Sequence, residues 1–322
     1  MPSKENFNDR MLSLGLARVS EAAAIASAKL IGRGDEKASD QAAVDAMRTQ
    51  LNMLDIAGVV VIGEGERDEA PMLFIGEQLG NQDSDIKVDI AVDPLECTNH
   101  CAFNLPDSIA VLAGAPPGSL LHAPDTYMNK LCGRKELIGH IGLTKTVEEN
   151  LLATAKVLNK EVKELKVIIM DRDRHKDLIA SMHSFGVEPI LIGDGDVTGG
   201  LKAVEGTVDL LYGIGAAPEG VITATAVRAL GGFFEGQLVF YDAEFENRAR
   251  KMVGSNIDKI WNANDLCTSD DTFFIASGVC TGWVPGVKFE NDKAIVTSKI
   301  IFGGTGKIKI ITNEYNLGGP DV

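Results

Sequence analysis

The chain has 322 residues, of which 45% are hydrophobic and 24% charged, a composition typical of a globular protein of one large or two smaller domains. Lys and Arg number 31 and Asp and Glu number 46, so the formal net charge is −15 at pH 7. Nucleic acids and anionic membranes select for basic surfaces, and this charge therefore argues against both as partners. A phosphorylated substrate stays compatible with it, because bound divalent cations can reverse the sign of a carboxylate site.

Hydropathy and cysteine usage indicate the compartment. No apolar run approaches the roughly 18 residues that a membrane-spanning helix needs, and residues 1–10 lack the apolar segment of a signal peptide. The five cysteines are irregularly spaced and form no Cys-x-x-Cys motif. These features predict a cytoplasmic protein with mostly free thiols and no membrane partner.

The first third of the chain is predicted to contain two helices followed by a strand. Apolar residues recur every three to four positions over residues 14–30, a helical period that Gly32 and Gly34 end. Ser39 is predicted to cap the second helix. The β-branched run Val59–Ile62, bounded by glycines, predicts a buried strand.

Strands and helices alternate after that point, which favours a layered α/β architecture. Thr146 and Glu149 form a capping box at the start of a helix. The charged, helical stretch Gly142–Glu164 separates two strand-rich parts, so we predict domains at residues 1–150 and 151–322. The other predicted elements are strands Val88–Val92, Ile109–Leu112, Val167–Met170, Pro189–Ile192, Val208–Tyr212, Leu238–Tyr241, Thr272–Ala276, Ala294–Ile301 and Lys307–Thr312, and helices Asp177–Phe185, Val197–Val204 and Pro218–Leu230.

Acidic residues gather where predicted strands end, and loops at the carboxyl ends of strands line the ligand crevice of α/β sheets. Carboxylate oxygens are the protein ligands that Mg²⁺ prefers, and two such ions can clamp a phosphoryl group during its transfer. Glu64, Asp93 and Glu96 are therefore predicted metal ligands, with Asp40 and Asp68 as candidates to complete the set. The alternative interpretation is that these side chains cap helices and face water.

The most specific motif is Asp93-Pro94-Leu95-Glu96-Cys97-Thr98. A predicted strand delivers Asp93, Pro94 turns the chain, Glu96 supplies a second carboxylate, and Thr98 offers a hydroxyl that can orient a water. It resembles the Asp-Pro-x-(Asp/Glu)-Gly-Thr signature of the lithium-sensitive phosphatase superfamily. The whole chain is more closely similar to the class II fructose-1,6-bisphosphatases, over roughly residues 12–285 and in the family's order. The supporting stretches are Gly32–Asp35, Ala38–Val44, Val61–Leu73, Ala123–Met128, Asp171–His175, Asp194–Val197 and Tyr212–Gly220.

This resemblance implies a layered αβαβα sugar-phosphatase fold with mixed sheets and a site that needs Mg²⁺ or Mn²⁺. The metal ligands that it implies are Asp40, Glu64, Asp93, Glu96 and Glu219. The implied catalytic residues are Glu64, Asp68 as an aid to water activation, and Thr98 as the group that orients the water. The residues implied for the sugar phosphate are Tyr127, Arg172, Arg174, Asp194, Asp196 and Glu219.

The implied reaction removes the 1-phosphate of fructose 1,6-bisphosphate, in gluconeogenesis or Calvin-type carbon metabolism. One branch of the family also accepts sedoheptulose 1,7-bisphosphate. The family further implies a homodimer or homotetramer. Arginine suits bidentate recognition of phosphate, which agrees with the roles implied for Arg172 and Arg174.

Two positions depart from the family pattern. Cys97 stands where the motif has glycine, and at a positive φ its Cβ would cost about 1–2 kcal/mol, whereas at a negative φ the change would be tolerated. Asp173 stands between two arginines where the family commonly has proline. His175, which directly follows Arg174, could assist phosphate binding or belong to the core.

Three other functions fit parts of the sequence. A relative impaired at Cys97 would bind sugar phosphates without turning them over, and an inositol-monophosphatase-like enzyme would prefer monophosphates. Gly213-x-Gly215 imitates a dinucleotide fingerprint, but Pro218 occupies the position of its third glycine. Phosphate release with added Mg²⁺ or Mn²⁺ separates a phosphatase from the impaired relative and the oxidoreductase. A panel of sugar bisphosphates and monophosphates separates it from the inositol-monophosphatase-like enzyme.

Overall fold

The computed structural model describes residues 15–63 and 73–318. It divides into two compact units, one made of Met1–Leu120 with Ser269–Val322 and the other of Leu121–Thr268. These units do not coincide with a boundary at residue 150, which falls inside the helix Val147–Leu158. The C-terminal segment returns to the first unit because its strands pair with that unit's sheet.

Elements are numbered in chain order over the described ranges. The helices are α1 Leu16–Ala28, α2 Glu36–Asn52, α3 Thr98–Phe103, α4 Val147–Leu158, α5 Lys176–Ser184, α6 Asp196–Glu205, α7 Ala217–Leu230, α8 Ala243–Val253 and α9 Ala263–Leu266. The strands are β1 Ala57–Ile62, β2 Gln78–Gly80, β3 Lys87–Glu96, β4 Ile109–Ala115, β5 Tyr127–Gly133, β6 Val167–Met170, β7 Ile190–Ile192, β8 Leu210–Ala216, β9 Phe233–Val239, β10 Ile260–Asn262, β11 Phe273–Gly278, β12 Lys288–Glu290, β13 Lys293–Phe302 and β14 Ile308–Asn316. Within those ranges, no helix is long and apolar enough to cross a lipid bilayer.

The first unit is built on an eight-stranded sheet in the order β12-β13-β11-β4-β3-β1-β2, with β14 also paired to β13. β1 and β3 run parallel, whereas β3–β4, β4–β11 and β11–β13 are antiparallel. Helices α1 and α2 pack on this sheet and on each other. Apolar residues of both helices, such as Val19, Ile25, Met47 and Leu51, join one buried cluster with the strands.

A buried polar network ties α1 to the last strands of the first unit. The fully buried carboxylate of Glu21 accepts hydrogen bonds from Ser298 Oγ at 2.9 Å and from Asn313 Nδ2 at 3.1 Å, and also from the Tyr315 hydroxyl. An ionisable group buried without such donors would carry a large desolvation penalty. The network therefore explains how β14, an otherwise exposed strand, is anchored to the helical layer.

The second unit contains a six-stranded sheet in the order β10-β9-β5-β8-β6-β7. β6 runs parallel to β7 and β8, while β5 lies antiparallel between β8 and β9. Side chains of α4 and α5 share a buried cluster with Leu131 of β5 and Ile169 of β6. Helices α6 and α7 pack against β5 and β8. The predicted layered α/β class with mixed sheets is confirmed.

Most predicted elements are present, and the differences lie at their ends. The capping box of Thr146 and Glu149 is confirmed, and β6 has the predicted bounds. The prediction that Ser39 caps the second helix is wrong. The helix begins at Glu36, because the Asp35 side chain accepts the Ala38 N–H, and the Ser39 hydroxyl instead donates to the Asp35 carbonyl at 2.8 Å.

We expect Tyr315→Phe to lower the free energy of unfolding by about 1–3 kcal/mol, because it removes one donor from the buried Glu21 carboxylate. The measurement is urea unfolding monitored by circular dichroism. Glu314→Gln is the control on the same strand, since Glu314 pairs with Lys293 on the exposed surface and such pairs contribute little. Equal stability of Tyr315→Phe and the unsubstituted protein would contradict the anchoring role of the network.

Candidate active site

The phosphatase-like motif begins inside a strand. β3 extends through Glu96, so Asp93 and Glu96 lie within the strand and not in a loop after Val92 as predicted. The pairing with β4 shifts register between Asp93 and Glu96. Pro94, which lacks an N–H donor, lies at this bulge. The bulge places both carboxylates at the end of β3.

The turn after β3 is held by two side chains of the motif. Asp93 Oδ1 accepts the Leu95 N–H at 3.1 Å, and Thr98 Oγ1 donates to the Leu95 carbonyl at 2.9 Å. Thr98 is the first residue of α3. Because its proton is directed to Leu95, the hydroxyl oxygen of Thr98 presents its lone pairs for a further hydrogen bond.

Cys97 adopts a left-handed backbone conformation, with φ 65° and ψ 55°, and its side chain is buried. The alternative that a negative φ makes the substitution harmless is therefore wrong. The turn needs a residue in the left-handed conformation, which glycine adopts without strain. Cysteine adopts the same conformation here, and its Cβ makes that conformation less favourable by about 1–2 kcal/mol.

Asp40 lies on α2, which packs against α3. The turn before α2 is fixed to α3 through its backbone, since Gly32 and Gly34 donate to the carbonyls of Cys101 and Ala102 at 3.0 and 2.8 Å. Partial burial raises the pKa of Asp40 above its ordinary value. A nearby cation would stabilise this desolvated carboxylate.

Tyr127 and Arg174, two of the residues implied for the sugar phosphate, lie in contact in the second unit. The Arg174 guanidinium stacks over the Tyr127 ring at 5.0 Å from its centroid and donates to the Ile214 carbonyl through Nε and Nη2 at 3.0 and 2.9 Å. No sequence pattern indicated the third member, Tyr241, whose ring meets Tyr127 edge-on at 5.1 Å. The guanidinium is thus held in one orientation beside two exposed phenol rings.

The neighbouring charged residues are placed differently. Arg172 donates to the adjacent Asp171 carbonyl at 3.0 Å. Asp173, which stands where the family commonly has proline, forms an ion pair with Lys176 at 2.9 Å on the exposed surface. The half-buried Asp194 begins the turn before α6, where its Oδ1 accepts the Gly195 N–H at 3.0 Å.

His175 is a core residue, and the prediction that it could bind phosphate is wrong. Its side chain is buried, Nδ1 lies 2.7 Å from the Met170 carbonyl, and Nε2 accepts the Ile214 N–H at 2.7 Å. Both ring nitrogens are therefore in use. Burial lowers the pKa of His175, which keeps the ring neutral. The histidine joins β6 to β8 and so supports the carbonyl that holds Arg174.

The structure brings Asp196 and Glu219 together around a residue that the sequence did not reveal, Lys130. Lys130 Nζ lies 2.6 Å from Asp196 Oδ2, and both side chains are buried. Burial raises the pKa of Glu219 to about 7; the Lys130 charge opposes this rise and the Asp196 charge adds to it. The sequence feature that could have indicated Lys130 is its place among apolar residues at an inward-facing position of β5.

The absence of a side chain at Gly215 makes space for this ion pair. A Cβ on Gly215 of β8 would lie 1.8 Å from Asp196 Oδ2, whereas a Cβ on Gly220 of α7 would meet Met128 Sδ first, at 2.7 Å, and Lys130 Cε at 3.3 Å. Both glycines belong to the stretch Tyr212–Gly220 that carries the family resemblance. They lie in β8 and α7, so the Gly213-x-Gly215 pattern is part of a strand and not a dinucleotide-binding loop.

The predicted metal ligands are described only in part. Glu64 and Asp68 lie outside the described residues, and within residues 15–63 and 73–318 no three Asp, Glu, His or Cys side chains form a cluster that could hold a metal. Asp40, Asp93 and Glu96 belong to the first unit and Glu219 to the second. The donor chemistry nevertheless fits a hard cation, since Glu219 Oε2 is buried without a hydrogen-bond partner among those residues.

Comparison with known proteins decides the family. The family described as bacterial fructose-1,6-bisphosphatase, glpX-encoded, matches residues 10–315. The chain belongs to this family.

Curated relatives are similar over nearly the whole chain, and three of them carry the name D-fructose 1,6-bisphosphatase class 2/sedoheptulose 1,7-bisphosphatase. A relative from Thermosynechococcus vestitus is 44% identical, covering 91% of this chain and 92% of the relative. One from Prochlorococcus marinus is 43% identical, covering 94% and 95%. One from Synechocystis sp. is 40% identical, covering 98% and 99%.

We expect Cys97→Gly to be more stable than Cys97→Ala by about 1 kcal/mol, because both lose the sulfur and only alanine keeps a Cβ at positive φ. Urea unfolding of the two variants measures this difference, and equal stabilities would contradict it. Phosphate release by the same proteins addresses turnover, where an unchanged rate in Cys97→Gly would remove any importance of Cys97 for the reaction.

The raised pKa of Glu219 predicts a pH-dependent stability of the metal-free protein. The folded state binds this proton more tightly than the unfolded state, whose reference value is 4.5, so the contribution of Glu219 to stability falls as pH rises from about 4.5 to about 7. Glu219→Gln should remove this loss, and thermal unfolding with a chelator between about pH 5 and pH 8 measures it. Exposed Glu136→Gln is the control and should follow the unsubstituted protein. Parallel profiles for Glu219→Gln and the unsubstituted protein would contradict the prediction.

Proposed function

We propose that the protein hydrolyses the 1-phosphate of fructose 1,6-bisphosphate to give fructose 6-phosphate and phosphate, and accepts sedoheptulose 1,7-bisphosphate as a second substrate. The observation that carries this proposal is the family match over residues 10–315. The names of relatives 40–44% identical support both substrates. The geometry of the two units agrees, with the phosphatase motif on the first and an arginine–tyrosine cluster on the second.

The reacting phosphate would be bound at the end of β3. Asp40, Glu64, Asp93, Glu96 and Glu219 are the proposed ligands of Mg²⁺ or Mn²⁺, which when bound would polarise the phosphate and acidify water. Thr98 is proposed to orient the attacking water. Since its own proton is directed to the Leu95 carbonyl, its oxygen can accept a hydrogen bond from that water. Asp68 is proposed to take the proton that the water loses.

The rest of the substrate would be bound by the second unit. Arg174, held by the Ile214 carbonyl and stacked on Tyr127, is proposed to contact the phosphate that is not cleaved, with Arg172 beside it. Asp194 and Asp196 are proposed to accept hydrogen bonds from sugar hydroxyls. Lys130 donates to the Oδ2 atom of Asp196, and we propose that Oδ1 is the atom that accepts the sugar hydroxyl.

A homodimer or homotetramer and a cytoplasmic location remain predictions from the resemblance and the sequence. The five cysteines, all within residues 15–63 and 73–318, are buried and form no disulfide there, as a reducing compartment would allow.

Phosphate release from a panel of sugar bisphosphates and monophosphates, with titrated Mg²⁺ and Mn²⁺, tests the proposal. We expect metal-dependent turnover of fructose 1,6-bisphosphate with a higher kcat/KM than of fructose 1-phosphate. Preference for a monophosphate such as inositol phosphate would overturn it, and binding without turnover would favour an impaired relative.

The variant Arg174→Ala tests the proposed contact between Arg174 and the uncleaved phosphate. It should raise KM for fructose 1,6-bisphosphate by about tenfold or more, because a charge-assisted contact to the uncleaved phosphate is lost. Fructose 1-phosphate lacks that phosphate, so its KM should change little. Lys176→Ala, which removes only an exposed ion pair with Asp173, is the matched control. An equal loss for both substrates would argue against the assigned contact.

A further inference from the structure

Lys130 occupies an inward position on a central strand. Alternation along β5 directs Met128, Lys130 and Cys132 to one face of the sheet, towards α6 and α7. The side chains on either side, Met128 and Cys132, are fully buried and apolar. The Lys130 side chain is only 1% exposed, so its ammonium group is far more deeply buried than that of an ordinary surface lysine.

Stability alone is a weak reason for such an arrangement. Removing an ammonium group and a carboxylate from water carries a large desolvation penalty, and apolar residues of similar size often stabilise a fold as well or better. The fold nevertheless excludes a side chain at Gly215, where a Cβ would lie 1.8 Å from Asp196 Oδ2. Strand β8 is thus shaped around the pair that joins β5 and α6.

The position of the pair connects it to two parts of the proposed site. Asp196 begins α6 directly after the turn that contains Asp194, so its carboxylate belongs to the segment assigned to the sugar. Glu219 lies in the first turn of α7, close enough for the positive charge of Lys130 to favour its ionised form. Lys130 is the shared partner of a proposed sugar-binding carboxylate and a proposed metal ligand.

We propose that Lys130 is a positioning residue for the substrate sugar, which it holds in place through Asp196. By engaging Oδ2 it fixes the carboxylate plane and leaves Oδ1 to accept a sugar hydroxyl. It also neutralises the charge of Asp196, which would otherwise be buried without a counter-ion and would disfavour the ionised form of Glu219. This inference rests on the proposed function, and it assigns no contact between Lys130 and the substrate.

The test compares Lys130→Met with Cys132→Ala, a substitution on the same face of the same strand that leaves both charged groups of the ion pair in place. We expect Lys130→Met to raise KM for fructose 1,6-bisphosphate and the inhibition constant of fructose 6-phosphate by about 10–100-fold, the usual effect of losing a partner behind a ligating group. With Mg²⁺ at saturating concentration, so that any weaker metal binding through Glu219 is offset, the inhibition constant of inorganic phosphate, which has no sugar, should not change. Cys132→Ala should lower the melting temperature while leaving these constants unchanged.

A double-mutant cycle with Asp196→Asn separates positioning from an independent effect. If Lys130 acts through Asp196, the double variant binds fructose 6-phosphate no more weakly than the worse single variant. If the fold-changes of the two single variants multiply in the double variant, the two residues act independently and the inference is wrong. A wild-type KM in Lys130→Met, or an equal loss of phosphate and fructose 6-phosphate binding, would also overturn it.

The two proposals fail in distinguishable ways. Absence of fructose 1,6-bisphosphate turnover by the unsubstituted, metal-loaded protein would refute the proposed function. Normal turnover by that protein together with normal constants in Lys130→Met would refute the positioning role alone. All measurements use the full chain at temperatures below the melting temperature of each variant, so that folding does not contribute to the readout.

Discussion

The ion pair between Lys130 and Asp196 is the constraint on which much of the second unit depends. A 2.6 Å contact between buried charges tolerates little displacement, since either group alone would be left uncompensated in a medium of low polarity. It joins β5 to the start of α6 and requires the absence of a side chain at Gly215. Gly215 belongs to the stretch Tyr212–Gly220 that carries the family resemblance, so the pair accounts for one glycine of that stretch.

The first unit shows a comparable constraint in its backbone. The bulge between Asp93 and Glu96 changes the direction of β3 at the motif, and the left-handed residue that follows allows α3 to start at Thr98. Cys97 adopts this left-handed conformation despite its Cβ, so the turn forms although backbone preferences alone would favour glycine at this position. Two hydrogen bonds stabilise the turn around Cys97 in this conformation: the Leu95 N–H donates to Asp93 Oδ1, and the Thr98 hydroxyl donates to the Leu95 carbonyl.

Sequence reasoning predicted the elements well and the roles of single polar residues less well. Periodicity and capping located most helices and strands, because they depend on neighbours within a few positions. The prediction for Ser39 failed because Asp35 offers a competing cap four residues earlier. His175 follows two arginines in the sequence, as a phosphate ligand would, yet a 3-10 turn directs it into the core and leaves Arg174 at the surface of the site.

The sequence by itself determined the α/β class and the acidic balance, since these follow from composition and from spacing along the chain, and the carboxylates and arginines proposed for the site followed from its resemblance to a known family. Only the tertiary structure decided that Lys130 meets Asp196, 66 positions away, that Tyr241 joins Arg174 and Tyr127, and that the chain after Thr268 returns to the first unit. The physical reason is that local propensities act over a few residues, whereas the pairing of a buried charge depends on which strands and helices pack together.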